Sequence, residues 1–345
     1  ALAADPETLV VLVNHRPFGS PADHTFQSLV RFELGRTASA TRLDLLLNDE
    51  QSVARVVENR MKRPGPLLAV ADAKTHSVAL YSIDDQAKLA PMNRMLVLDD
   101  EVLIDAIALP NSTVFITNRR VVESSERGST IEHRSLVGDR VFLSSAWRSK
   151  GSCPLLVVSS STTDGNALLE SICLGDPDQS SSSPLPQSLH QSLATTIRVL
   201  KDNPSFAAVF GLDENSGAWA VLCSTVSGFC SEQSIDRRSE LVSESTLPLP
   251  VVLKDEDTVI FLDARPRHAS LVEHGWSNKQ ESRKNILSLD SPDPKSLVDA
   301  VSATSLVLID DVPVALVEFL DVFPANEDGE MVLKQRVGIG ILGDR

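Results

Sequence analysis

Side chains able to do chemistry are dispersed along this chain rather than gathered into one motif. The seven histidines, His15, His24, His76, His133, His190, His268 and His274, lack the close pairing of a zinc-binding helix. Carboxylates gather at Asp84-Asp85, Asp99-Asp100-Glu101, Asp255-Glu256-Asp257, Asp310-Asp311 and Glu327-Asp328-Gly329-Glu330. Such oxygens suit calcium, but no run has the alternating spacing of an EF-hand loop, so they read as solvated turns at strand ends. Arg265-Pro266-Arg267-His268, followed by His274 and Trp276, is the densest basic and aromatic patch. Guanidinium and indole groups of this kind grip an acidic peptide or an anionic small molecule. Arg119-Arg120 is a weaker patch of the same sort. No Gly-x-Ser-x-Gly elbow and no Gly-Lys-Ser phosphate loop occurs, which leaves serine-hydrolase and nucleotide chemistry unsupported.

Two modification chemistries are also written in the chain. Cys153, Cys173, Cys223 and Cys230 are read as small buried hydrophobes with free thiols, a local Cys223 to Cys230 loop being the alternative. Asn111-Ser112-Thr113 is an N-glycosylation acceptor if the chain is exported, and it lies where two strands should turn. The small-residue start Ala1-Leu2-Ala3-Ala4 suits a chain secreted or processed from a precursor.

These residues must be positioned by β-structure. Short runs rich in Val, Ile, Leu and Thr recur from Thr8 to Leu342, bounded by Gly, Pro, Asn, Asp or Ser. The clearest are Thr8 to Asn14, Gln27 to Leu34, Leu67 to Ala73, Val78 to Ile83, Leu103 to Leu109, Leu155 to Ser159, Phe206 to Leu212 and Ala218 to Ser224. Helical spacing is credible only over Asp49 to Met61, Pro186 to Leu200 and Lys295 to Ser302, too few for regular βαβ alternation. So many strands must hide their edges, and 345 residues favour a β-propeller over a barrel or sandwich. The expectation is an all-β, six-bladed β-propeller forming a single domain over 1–345, with a few short helices in loops and long surface loops at 175–189 and 277–294. Neither a Trp-Asp repeat nor a kelch double glycine recurs. The terminal run Val337-Gly338-Ile339-Gly340-Ile341, with no room for a following helix, reads as a closing strand.

Composition bounds the partners. With 32 Lys and Arg against 47 Asp and Glu, the formal charge is −15, which argues against nucleic acid or anionic lipid as the main partner. No stretch approaches the roughly 20 apolar residues of a membrane helix, so no membrane insertion is expected. A protein partner or a small molecule fits better.

Two segments resemble a known family. Leu9 to His15, LVVLVNH, followed by Ser28 to Leu34, resembles the paraoxonase strand pair that carries a Val-Asn-His turn. Leu67 to Thr117 resembles the next pair of blades in the calcium-dependent propellers of the gluconolactonase and paraoxonase superfamily. The resemblance implies a lactonase or arylesterase site at the axial mouth. His15 would relay a proton from the attacking water, and Asp105 would ligate a calcium that polarises the ester carbonyl. Two positions depart from the family: Ala106 stands where an Asn follows that Asp, and Arg63-Pro64-Gly65-Pro66 replaces an Asn-Gly pair. The leading functional expectation is therefore a propeller binding or interaction module with an acidic surface, and the alternative is a divergent calcium-dependent hydrolase.

Overall fold

The structure is a computed structural model that describes residues 2–4, 8–15, 26–33, 39–45, 53–61, 65–72, 74–83, 89–96, 101–148, 151–186, 195–200, 203, 205–212, 218–224, 230–235, 251–265, 268–275, 281–288, 297–309, 312–323 and 332–341. Strands dominate, and within each meander their order in space follows their order in sequence. The first antiparallel meander comprises β1 (Leu2–Ala4), β2 (Thr8–His15), β3 (Phe26–Glu33) and β4 (Ser39–Leu45). The second comprises β5 (Val53–Asn59), β6 (Leu67–Asp72), β7 (Ser77–Ile83) and β8 (Leu89–Leu96). The third comprises β9 (Leu103–Ala108), β10 (Ser112–Thr117), β11 (Arg120–Ser125) and β12 (Thr130–Ser135). A fourth follows with β13 (Arg140–Trp147), β14 (Leu155–Ser161), β15 (Ala167–Ile172) and β16 (Ser181–Pro184).

Three more meanders complete the chain. They are β17 (Thr195–Val199) to β20 (Cys230–Ile235) through β18 (Phe206–Leu212) and β19 (Ala218–Ser224), then β21 (Val251–Leu253), β22 (Thr258–Arg265), β23 (His268–Gly275) and β24 (Glu281–Ser288). The last has three strands, β25 (Leu297–Ile309), β26 (Val312–Phe323) and β27 (Val332–Ile341). Among the described residues the meanders number seven, where six were expected. The extra one arises because the polar outermost strands, such as SATRLDL of β4, leave little apolar pattern to divide one meander from the next.

The chain divides into two compact units, Ala1–Trp147 with Gly151–Asp164 and Leu168–Ser182, and Ser183–Arg345 with two short pieces of chain between. In the first unit the packing follows the two-residue period of a strand. On β10, Val114 and Ile116 enter a core with Phe142, Leu155 and Val157, whereas Phe115 enters the core with Val57, Leu80 and Met95. The third meander is thus covered on both faces by its sequence neighbours, which is why TVFIT of β10 is an unbroken buried run. Burial fades outward, and β12 (TIEHRS) turns every residue but His133 to solvent. Charged edge positions of this kind resist pairing with foreign strands. In the second unit, Phe210, Val259, Phe261 and Val272 form an equivalent core.

Several expectations need correction. Where the three segments expected to be helical are described they carry strands, β5, β17 and β25, while residues 49–52, 187–194 and 295–296 lie outside the described residues. Their amphipathic spacing competed with an equally good alternation, and pairing with β6, β18 and β26 decided the outcome. Among the described residues the helical structure is one short 3₁₀ turn, Pro177–Gln179, and no helix is long and apolar enough to cross a membrane. Strands β16 and β24 lie within the two stretches expected to be loops. Cys153 and Cys173 form a disulfide rather than free thiols, because the antiparallel pair β14 and β15 brings the start of one beside the end of the other. Cys223 and Cys230 are register partners on β19 and β20.

Candidate functional site

The first strands of the second, third and fourth meanders meet side by side. β5 and β9 even pair, in parallel, through Glu58 with Ile107 and Asn59 with Ala108. Each of the two later first strands carries a bulge. On β9 the register skips Ile104 between Asp105, opposite Ile116, and Leu103, opposite Thr117. On β13 it skips Leu143, between Phe142 and Ser144. A bulge adds a residue to one strand and re-aims the side chains beside it. Here the bulges adjoin Asp105 and the Ser144-Ser145 pair.

The result is a polar line across three strands. The Ser145 hydroxyl donates to Asp105 Oδ2 at 2.7 Å, and the Ala106 N–H donates to Asp105 Oδ1 at 2.8 Å. Arg55, on β5, donates from Nη1 to the Ala54 carbonyl at 3.3 Å. Burial pulls the Arg55 guanidinium below its ordinary range, and the nearby negative charge of Asp105 opposes that pull. Glu58 forms an ion pair with Arg60. Burial pushes the Glu58 carboxyl upward, Arg60 draws it back, and Asp105 adds a small further rise. The balance is between two cations and two anions, with both Asp105 oxygens accepting hydrogen bonds. Such a line suits orientation of a polar group. A calcium centre instead gathers several carboxylate and amide oxygens, and among the described residues no group of three or more His, Cys, Asp or Glu is placed to hold a metal ion.

The other sequence candidates fall as follows. His15 ends β2, opposite Phe26, and its side chain lies outside what the structure describes. Arg265 and His268 are register partners closing the β22–β23 hairpin, while Arg267 and Trp276 lie outside the described residues. His274, on β23, is buried. Arg119 and Arg120 are taken up within the chain. Arg119 Nη1 donates to the carbonyls of Gly138 and Arg140 at 3.0 and 2.9 Å. Arg120 grips Glu101 with Nε and Nη2, at 2.6 and 2.8 Å. Asp255 caps its own turn by accepting from the Asp257 N–H at 2.8 Å.

Sequence reasoning missed Arg55, Glu58 and Ser145. The signal for the first two was the alternation in VARVVEN, hidden by the helical reading. Bulges leave no pattern of their own, so Ser145 had none. Two further polar ties emerge only in three dimensions. Glu170, on β15, accepts from Ser159 Oγ at 2.5 Å and from Arg134 Nε at 3.0 Å. Glu123 accepts from Ser112 Oγ at 2.5 Å and lies 2.9 Å from His133 Nε2. In the second tie the carboxylate sits between the hydroxyl and the imidazole, the wrong order for activating a serine, which needs the imidazole in the middle.

No family profile matches the sequence, and no curated protein matches it. A crystal structure of a protein from Lactobacillus plantarum is similar over 98% of this chain and 99% of that one, at 10% identity and a TM-score of 0.52. That likeness shows the fold alone, a propeller-like all-β array. An oligogalacturonate lyase in complex with manganese aligns over 70% of each chain at 12% identity, with a TM-score of 0.49. TolB from Acinetobacter baumannii aligns over 81% of this chain and 63% of that one at 11% identity, with a TM-score of 0.45.

Proposed function

We propose that the chain acts as one propeller-like binding module, with an acidic surface, rather than as a calcium-dependent hydrolase. The observation that carries this reading is the engagement of Asp105. Both of its oxygens accept hydrogen bonds from the chain, from Ala106 and Ser145, and the Arg55 charge lies close by. A carboxylate held in this way has less to offer a divalent ion, and a neighbouring guanidinium repels one.

The contact proposed for the partner is the patch of Arg265, Arg267, His268 and Trp276, which would take an acidic peptide or an anionic small molecule. Its support is the register that sets Arg265 opposite His268 at a hairpin end. A synthetic polyglutamate peptide is the probe. Binding that weakens as salt rises, and that is lost in the double variant Arg265→Ala with Arg267→Ala, is expected.

The hydrolase reading, with His15 as proton relay and Asp105 as calcium ligand, is tested separately. Thermal unfolding is followed across a calcium titration, alongside hydrolysis of a lactone and an aryl ester. A ligand that binds only the folded chain raises Tm with its concentration. No rise and no hydrolysis are expected. A saturable rise abolished by Asp105→Ala, together with hydrolysis lost in His15→Ala, would overturn the binding-module reading.

A further inference from the structure

We infer that Asn111 is the acceptor of an N-linked oligosaccharide, in a chain that folds in an oxidising compartment. The sequence holds the acceptor triplet Asn-x-Ser/Thr with x other than Pro at Asn111-Ser112-Thr113, and Asn203-Pro-Ser is disqualified by its proline.

The structure adds what the triplet alone lacks. Asn111 is exposed in the tight turn between β9 and β10, which is closed by the Leu109 N–H donating to the Ser112 carbonyl at 2.8 Å. Its own carbonyl accepts from the Glu126 N–H at 3.4 Å, so the turn leans on the next turn of the same sheet. Glu126 to Ser129 are exposed as well, and no side-chain hydrogen bond ties down the Asn111 amide among the described residues. A bulky polar chain attached there would project into water without displacing a contact.

A second, independent observation concerns the compartment. Cys153 and Cys173 are joined, and structural disulfides form and persist in the secretory lumen and outside the cell. That lumen is also where asparagine glycosylation takes place.

The burial pattern dictates when the transfer occurs. Thr113, whose hydroxyl completes the acceptor triplet, is only 2% exposed once folded, and Ser112 is hydrogen-bonded to Glu123. The triplet must therefore be read while the chain is still extended, before β10 pairs with β9 and β11. In the transfer, Asn111 Nδ2 attacks the anomeric carbon of a lipid-linked diphosphate oligosaccharide. The new C–N bond replaces the C–O bond to phosphate, the lipid diphosphate leaves, and the amide gives up one proton. No oxidant or reductant enters.

The test uses the full-length protein isolated from the cells that make it, and the same chain expressed there with Asn111→Gln or Thr113→Ser. Peptide N-glycosidase should increase its gel mobility and convert Asn111 to Asp in the peptide that spans it. The shift should be absent in N111Q and retained in T113S, whose hydroxyl is preserved. Because transfer precedes folding, total cellular protein is scored, whether or not it is exported. An unmodified Asn111 would overturn the proposal. So would free thiols at Cys153 and Cys173 in the native protein.

Discussion

Removing Arg134 should destabilise the protein by more than removing the carboxylate that it holds. Glu170 is 3% exposed, and its oxygens are met by Ser159 Oγ at 2.5 Å and by Arg134 Nε and Nη2 at 3.0 and 2.9 Å. Ser159 in turn accepts from Arg140 Nη2 at 3.1 Å. Arg134 lies on β12 and Glu170 on β15, so the pair ties the third meander to the fourth. Breaking a buried pair from one side costs about 3–5 kcal/mol, because it strands the other charge. The Arg134 side chain is 46% exposed, and water can follow it into the gap, so the cost falls to the bottom of that range or just below it. Arg134→Ala should therefore cost about 2–3 kcal/mol. Adding Glu170→Gln to that variant should restore about 1–2 kcal/mol, since a neutral amide is cheaper to bury than an unpaired carboxylate and still accepts from Ser159. Urea unfolding followed by far-ultraviolet circular dichroism measures all four corners of the double-mutant cycle. The reasoning is refuted if Arg134→Ala costs under about 0.5 kcal/mol, or if Glu170→Gln deepens the loss in the Arg134→Ala background.

Two further perturbations have clear signs. The Asp139 carboxyl is held below its ordinary value of 3.8, chiefly by the hydroxyl of Ser161 and then by Thr163. A carboxyl lowered in the folded state contributes stability above its unfolded value, and that contribution drains away as pH falls through the folded one. Tm should thus drop on acidification below pH 3.8, and Asp139→Asn should flatten that part of the curve. An unchanged slope would remove Asp139 as its source. The Cys153–Cys173 disulfide spans 20 residues of chain, a loop whose opening costs about 3 kcal/mol through the unfolded state. Reductant should lower the urea midpoint of the wild type accordingly. It should have no such effect on the double variant Cys153→Ser with Cys173→Ser, which should start from the lowered value.

Inner strands were legible in the sequence through their continuous apolar runs. Phe206–Leu212 and Ala218–Ser224 match their expected bounds. Outer strands were not, since TIEHRS, CSEQSI and ESRKNILS carry the polar side chains that an edge requires and so look like loops. The same blindness hid the seventh meander, whereas VARVVEN was read as a helix because its apolar residues fit a helical period as well as an alternating one. Asp105 was singled out through a family resemblance, and its partners Arg55 and Ser145 were not. They lie 50 and 40 positions away in the sequence, and register bulges bring the three strands' polar residues together. The cysteine pairing was hidden for a related reason, because the ends of β14 and β15 fix it and their spacing does not.

The parallel seam between Glu58–Asn59 and Ile107–Ala108 makes the second and third meanders one continuous lattice of amides, eight strands wide. Repeating architectures are ordinarily close to chains of weakly coupled modules, each able to fray by itself. Here a backbone splice crosses the module boundary, so opening either half strips partners from the other. These eight strands should exchange their amide hydrogens with solvent as a single cooperative foldon, slower than the meanders flanking it.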